Sequence, residues 1–382
     1  MATITGHRSP PVVLAGLLAL LALLALAVPL ARQAAAQDAS AREELRREIA
    51  RDLVVHHALP RYEALTAETA ALDGAARTFC ADPTPDGLDA VHEAYADAFE
   101  AWMAIQHVRF GPVMREDRYY RLEYWPDKHG QGGRQLRKLF ASGDLSAMTP
   151  ETLADKSVAL QGFPALERIL YGKNAESRLT SGDETAAGLC RFATAITGNL
   201  KAMAAATETE WRDGPAAQAN DMDAETVDQT LKDFFQAFTD ELQFIRLSKL
   251  GEPLGETPGQ ANPRAAEAWR SGLSLPAIQA NLAGLHETFS GNEEAGSKGL
   301  GAALNRDEAD GDYRRSVARG LLYGIDFIDD HPDLLTAGLK SEEGRKSIAF
   351  LMLHLDGVRE RAAGTLGGAL GVDLGFNAMD GD

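Results

Sequence analysis

Apolar residues recur at three- and four-residue intervals through most of the chain, the spacing that gathers one face of an α-helix, and alternating β-branched runs are absent. The pattern predicts an all-α fold with helices over residues 39–59, 61–78, 86–109, 151–172 with a break near Pro164, 183–211, 224–250, 274–289, 313–329 and 342–366. Thr84-Pro85-Asp86 and Thr149-Pro150-Glu151 each set a hydroxyl N-cap before a proline and a first-turn acid, and Phe110-Gly111-Pro112 stops the helix before it. A polar, turn-rich stretch from Asp213 to Asp221 divides the helical part into nearly equal halves. Two packed bundles of the four-helix type follow, over residues 37–212 and 222–382, together making one domain. The order of elements is alike in the two halves, as an internal duplication would leave it, without a shared residue motif.

The first 36 residues follow a different pattern. An almost unbroken Leu/Ala-rich run over 12–30 stands behind His7 and Arg8, and Ala34-Ala35-Ala36 supplies small residues for cleavage. The expectation is a signal peptide over 1–36 and an exported mature chain. Uncleaved, the same run is long enough to hold the chain in a membrane, the one route to membrane contact that the sequence offers.

Composition narrows the partners. The 382 residues carry a formal charge of −18, which argues against nucleic acid and favours cations, metal ions included. The two cysteines, Cys80 and Cys190, read either as a disulfide of an exported protein or as two buried thiols. Neither begins C-x-x-C-H, so covalent haem attachment is excluded while non-covalent haem stays open.

The chemistry concentrates in three places. In Gln161-Gly162-Phe163-Pro164-Ala165-Leu166-Glu167, a proline stands where a histidine three residues before the glutamate would complete a one-faced metal pair. Pro164 is expected to open a helical segment after a bend at Gly162-Phe163, which leaves Glu167 in the first turn, either as a dipole-stabilising acid or as a carboxylate facing a pocket. On 86–109, Glu93, Asp97, Glu100 and His107 share a face, readable as a solvated acidic stripe or as ligands for iron or another hard to borderline cation. The aromatic loop 119–130 carries Arg121, Trp125, Asp127 and His129, either to line a cleft or to plug a gap with Asp127 capping the next helix. Asp329-Asp330-His331-Pro332-Asp333 reads as a capped turn, and the adjacent His56 and His57 point apart on a helix. Helical H-E-x-x-H is absent, so a zinc hydrolase of that type has no support.

These residues, with Arg109-Phe110-Gly111-Pro112, Trp125-Pro126-Asp127, the run from Lys249 to Gly255, Ala268-Trp269-Arg270-Ser271-Gly272 and the terminal run from Leu374 to Asp382, resemble the imelysin family, filed as peptidase M75 and marked by G-x-H-x-x-E. The resemblance covers most of the mature chain. It implies a two-bundle helical fold, a periplasmic location with inner-membrane anchoring as the alternative, and a link to iron or haem uptake alongside envelope proteins. The expected role is a non-catalytic binding or accessory protein, with a metallopeptidase and an envelope interaction scaffold as rivals. Candidate ligand-binding residues are Arg109, holding a carboxylate in place, with Trp125, Asp127, Gln161, Gly162 and Glu167. Candidate metal ligands are Glu167, Asp127, His129, His107 and Glu100.

Overall fold

A computed structural model describes residues 12–372, apart from Lys128, positions 143, 144, 146 and 147, and positions 305–307, with side chains from Arg32 onward except that of Glu308. Residues 1–11 of the expected signal peptide and the terminal run from Leu374 lie outside the described residues. Contacts divide the chain into one unit up to Arg47 and another from Glu48 on. The first unit carries most of α1 (Val12–Asp52), where Glu43 pairs with Arg46 at 3.0 Å and Arg47 at 3.2 Å. Among side chains from Arg32 onward, no helix is long and apolar enough to cross a membrane.

The second unit is all-α, with two helical bundles. The first packs α2 (Leu59–Ala81) against α3 (Pro85–Ile105) and, after short segments, α4 (Gly162–Leu170) and α5 (Glu184–Trp211). The second comprises α6 (Ala224–Phe244), α7 (Ser274–Ser290), α8 (Glu308–Asp329) and α9 (Glu342–Leu370). Tyr62, Tyr95, Phe99, Trp102, Phe163 and Phe192 fill the first core, and Phe234, Phe235, Phe238 and Phe289 fill the second. Burying such large rings supplies much of the folding free energy, each contributing on the order of 2–3 kcal/mol. The bundles meet where α3 crosses α7. A Cβ on Gly284 would stand 2.0 Å from the Ala104 carbonyl oxygen, so only glycine lets the two backbones approach this closely.

The anticipated caps are present. Thr84 Oγ accepts from Gly87 N at 3.1 Å, and Thr149 forms a capping box with Thr152. Cys80 at the end of α2 is disulfide-bonded to Cys190 of α5, with Cα atoms 5.5 Å apart.

Three boundaries differ from the sequence expectation. No break separates α1 from α2: the π-helical turn Leu53–Ala58 joins them and takes the chain through Pro60 without ending the helix. The helix expected over 151–172 is instead Pro150–Ala154, a 3-10 turn Val158–Leu160 and α4, because Gln161 is extended and Gly162 takes φ +72°. The break thus precedes Gly162, and Pro164 sits in the first turn of α4. After α6, a π-helical stretch Ile245–Gly251 turns Lys249 inward until it is 1% exposed.

Candidate functional site

The start of α4 is built around Gly162. Its backbone presses on the preceding short helix Arg118–Leu122, so close that a Cβ would lie 2.1 Å from the Leu122 carbonyl oxygen. Gln161 is buried beside it, its Oε1 accepting from Asn199 Nδ2 at 2.8 Å and Arg121 Nε at 3.1 Å, and its Nε2 donating to the Lys156 carbonyl at 2.7 Å. One turn on, Glu167 reaches the second half of the chain. Its Oε1 accepts from the backbone N–H of Arg270 at 2.9 Å and Ser271 at 3.1 Å and from Ser271 Oγ at 3.2 Å, and Oε2 accepts from Arg270 Nη1 at 3.3 Å. The carboxylate anchors a turn that contains Ala268 at φ +48° and presents Trp269, whose ring stacks under the Arg270 guanidinium at 4.2 Å.

Beside this turn lies a cavity of about 650 Å³, a volume that suits a small organic ligand. Trp125, Asp127, Gln161 and Glu167 all line it, together with Pro164. Asp127 caps the helix Gln131–Ser142, accepting from Gln131 N at 2.7 Å and Gly132 N at 2.8 Å. Trp125 sets its ring edge against Phe244.

The other sequence candidates, Gly162, Arg109, Glu100, His129 and His107, do not line this cavity. Arg109 does not touch Glu167: it donates to Glu241 Oε2 at 2.7 Å and lies over the Phe244 and Tyr119 rings, because the loop after α3 turns toward α6. Glu100 is exposed on α3 with Glu93 and Asp97, as the solvated-stripe reading has it, and does not line the cavity. His129 contributes its backbone carbonyl to the Arg134 side chain and does not line the cavity.

His107 belongs to a separate buried cluster. Its Nε2 and that of His57 each lie 2.9 Å from Thr288 Oγ, and His57 Nδ1 is 3.7 Å from Glu287. Burial pushes both imidazoles below their ordinary range, and for His107 the charges of His57, Arg61 and Arg109 add to it. Burial works to raise the Glu287 carboxyl, but His57 and Arg61 outweigh it and hold it down to about 2. An imidazole depressed in the folded state takes up its proton first in the unfolded chain. Stability is therefore expected to fall as pH drops below about 6.5, by up to roughly 2.7 kcal/mol per pH unit for two histidines. The loss steepens below about 4.3 as the unfolded-state Glu287 begins to protonate. Urea midpoints at pH 7.5 and 5.5 check this: His107→Gln should flatten the dependence, and equal midpoints for the parent would contradict it.

The residues that sequence reasoning missed form the cavity floor. Glu123 Oε2 accepts from Trp102 Nε1 at 2.8 Å and Gln106 Nε2 at 2.6 Å. Glu267 Oε2 lies 2.7 Å from Lys249 Nζ, which also donates to Asn281 Oδ1 at 2.7 Å and Gln106 Oε1 at 2.9 Å. Burial and the nearby Glu267 charge push the Glu123 carboxyl well above the usual range. Lys249 and Trp269 stand in runs that had suggested a family, and a lysine within an apolar helical stretch is the signal that could have flagged the first.

Among the described residues, the donors around Glu167 do not make up a metal site. Pro164 offers no ligand atom, the Glu167 oxygens already accept four hydrogen bonds, and no group of three or more His, Cys, Asp or Glu among the described residues could hold one.

A family model described as Imelysin, peptidase M75, matches residues 58–360. The fold is similar to that of an imelysin-like protein from Psychrobacter arcticum 273-4, with a TM-score of 0.70 and 22% identity over 88% of this chain and 98% of that one. It is also similar to a putative iron-regulated protein A precursor from Parabacteroides distasonis ATCC 8503, with a TM-score of 0.64 and 15% identity over 84% and 95% of the respective chains. No curated protein matches the sequence.

Proposed function

Since this chain belongs to the imelysin family, we propose that it is an exported, non-catalytic binding protein of the periplasm that serves iron or haem uptake, with residues 1–36 as its signal peptide and residues 37–212 and 222–382 as its two bundles. The observation that carries the reading is the state of Glu167. Its Oε1 is held by the Arg270 and Ser271 backbone N–H groups and its Oε2 by Arg270 Nη1, so the carboxylate braces the turn that forms one wall of a ligand-sized cavity. Likeness to a protein described as an iron-regulated precursor supports export and the link to iron. The peptidase reading needs His107 and His129 at Glu167, and neither lines the cavity. A second reading, an envelope interaction scaffold, draws on Tyr323, Phe350 and Leu353, exposed on α8 and α9. It also needs a closed, dry space beside Glu167, where the cavity stands instead.

Elemental analysis of the chain from residue 37, purified from the periplasm, with iron, iron-chelate and haem titrations and a casein-cleavage assay, tests the proposal. Saturable binding without cleavage is expected; chelator-sensitive proteolysis would overturn it. Glu167→Gln is expected to lower stability by about 1.5–3 kcal/mol, because an amide cannot accept at both ends. Its metal content should equal that of the parent, and a metal lost on this substitution would show that Glu167 is a ligand after all.

A further inference from the structure

Two guanidinium groups at the cavity have no hydrogen-bonded partner among the described residues, that of Arg168 half-buried and that of Arg264 exposed. Arg168 donates no hydrogen bond among the described residues, and its nearest carboxylate, Asp127, is 4.0 Å away with both oxygens already accepting backbone N–H groups. Arg264 has no ion pair among the described residues; its guanidinium lies 5.5 Å from the centre of the Trp269 ring. Arg270 stacks on the same ring at 4.2 Å and spends one Nη on Glu167. Three arginines thus converge on one cavity in a chain whose net charge is −18.

The acids around them offer Arg168 and Arg264 no hydrogen-bonded partner among the described residues. Asp127 and Glu167 are taken up by backbone donors, Glu267 is paired with Lys249, and Glu252 is exposed at the rim. Burial and the neighbouring Arg270 charge push the Arg168 guanidinium below its ordinary range. An arginine fork without an acceptor is matched by a carboxylate, which it binds through paired hydrogen bonds. The Trp125 and Trp269 indoles and the Pro164 ring give the walls an apolar character that an inorganic anion cannot use.

We propose that the cleft recognises a small organic anion bearing carboxylates, held by Arg168 and Arg264 against Trp269, so that iron reaches this protein inside such a ligand and is not ligated by its side chains. The inference rests on the reading of the cavity as the ligand site and names its ligand class. Ferric citrate and haem, with its propionates, are two iron-bearing members of that class.

Isothermal titration of the mature chain with citrate, ferric citrate, haem, inorganic phosphate and uncomplexed ferrous ion tests it, in the parent and in Arg168→Gln and Arg264→Gln. The result expected is binding of at least one carboxylate ligand, weakened tenfold or more in each variant, with the thermal midpoint unchanged because neither guanidinium supports the fold by a hydrogen bond. Ferric citrate or haem as the tighter ligand tells which source supplies the carboxylates, and either supports the proposal. Phosphate binding as tightly as the carboxylates, or carboxylate affinities indifferent to both substitutions, would overturn it. Stoichiometric ferrous binding with no carboxylate bound overturns it too while leaving the iron-handling function standing. Citrate bound equally with and without iron, and haem not at all, supports the site and removes iron from the proposed function.

Discussion

Replacing Lys249 with methionine is expected to lower the free energy of unfolding by about 3–5 kcal/mol, read as a fall in the urea midpoint at pH 7.5 with an unchanged slope. The ammonium is 1% exposed and is held by Glu267, Asn281 and Gln106, with Met103 Sδ at 3.3 Å. Removing it strands the Glu267 carboxylate, without its cation, in a site that is 3% exposed. An unpaired buried charge costs far more than the pair itself contributes, so adding Glu267→Gln to Lys249→Met should recover a measurable part of the loss. A loss under about 1 kcal/mol in the single variant would mean that Glu267 reaches water and that the floor is not sealed.

Gly162→Ala is expected to cost about 3 kcal/mol or more and to leave little folded protein at 37 °C. Two effects add: φ +72° is a conformation that a Cβ opposes, and the new methyl would meet the carbonyl oxygens of Leu122 at 2.1 Å and Arg121 at 2.5 Å. Backbone on both sides of the clash leaves no flexible side chain to move aside. Gly74→Ala supplies the contrast. Gly74 lies within α2 with nothing within 4 Å of its would-be Cβ, so the same substitution should stabilise by about 0.4–1 kcal/mol. Thermal midpoints of the two variants moving in the same direction would contradict the account.

The helices were legible because their apolar periodicity is long and their caps are local chemistry: Thr84, Thr149 and the glycines and prolines at the breaks act on residues three or four positions away. The π-helical turns at Leu53–Ala58 and Ile245–Gly251 were not, since one extra residue in a turn leaves the apolar pattern on either side intact while rotating everything that follows. The site divides along the same line. Trp125, Asp127, Gln161 and Glu167 stand in one half of the chain within a recognisable frame, and the structure does gather them around one cavity. Glu267 and Arg264 join them from the other half of the chain, with Lys249 buried behind Glu267, a convergence that no local spacing encodes. Arg109 and His107 went astray for the related reason that a side chain at the end of a helix takes its direction from what packs on it.

The glycine contact between α3 and α7 bears on how the cleft exchanges its contents. Walls that close like a clamshell need a hinge, and here the two bundles touch backbone to backbone at Ala104 and Gly284 and are laced by Lys249 and Asn281 reaching Gln106 and Met103. Separating them would break those bonds in a space that water does not reach. The two bundles are therefore not expected to part, and capture of the proposed ligand should behave as a one-step encounter, with an observed rate that rises linearly with ligand concentration and no plateau.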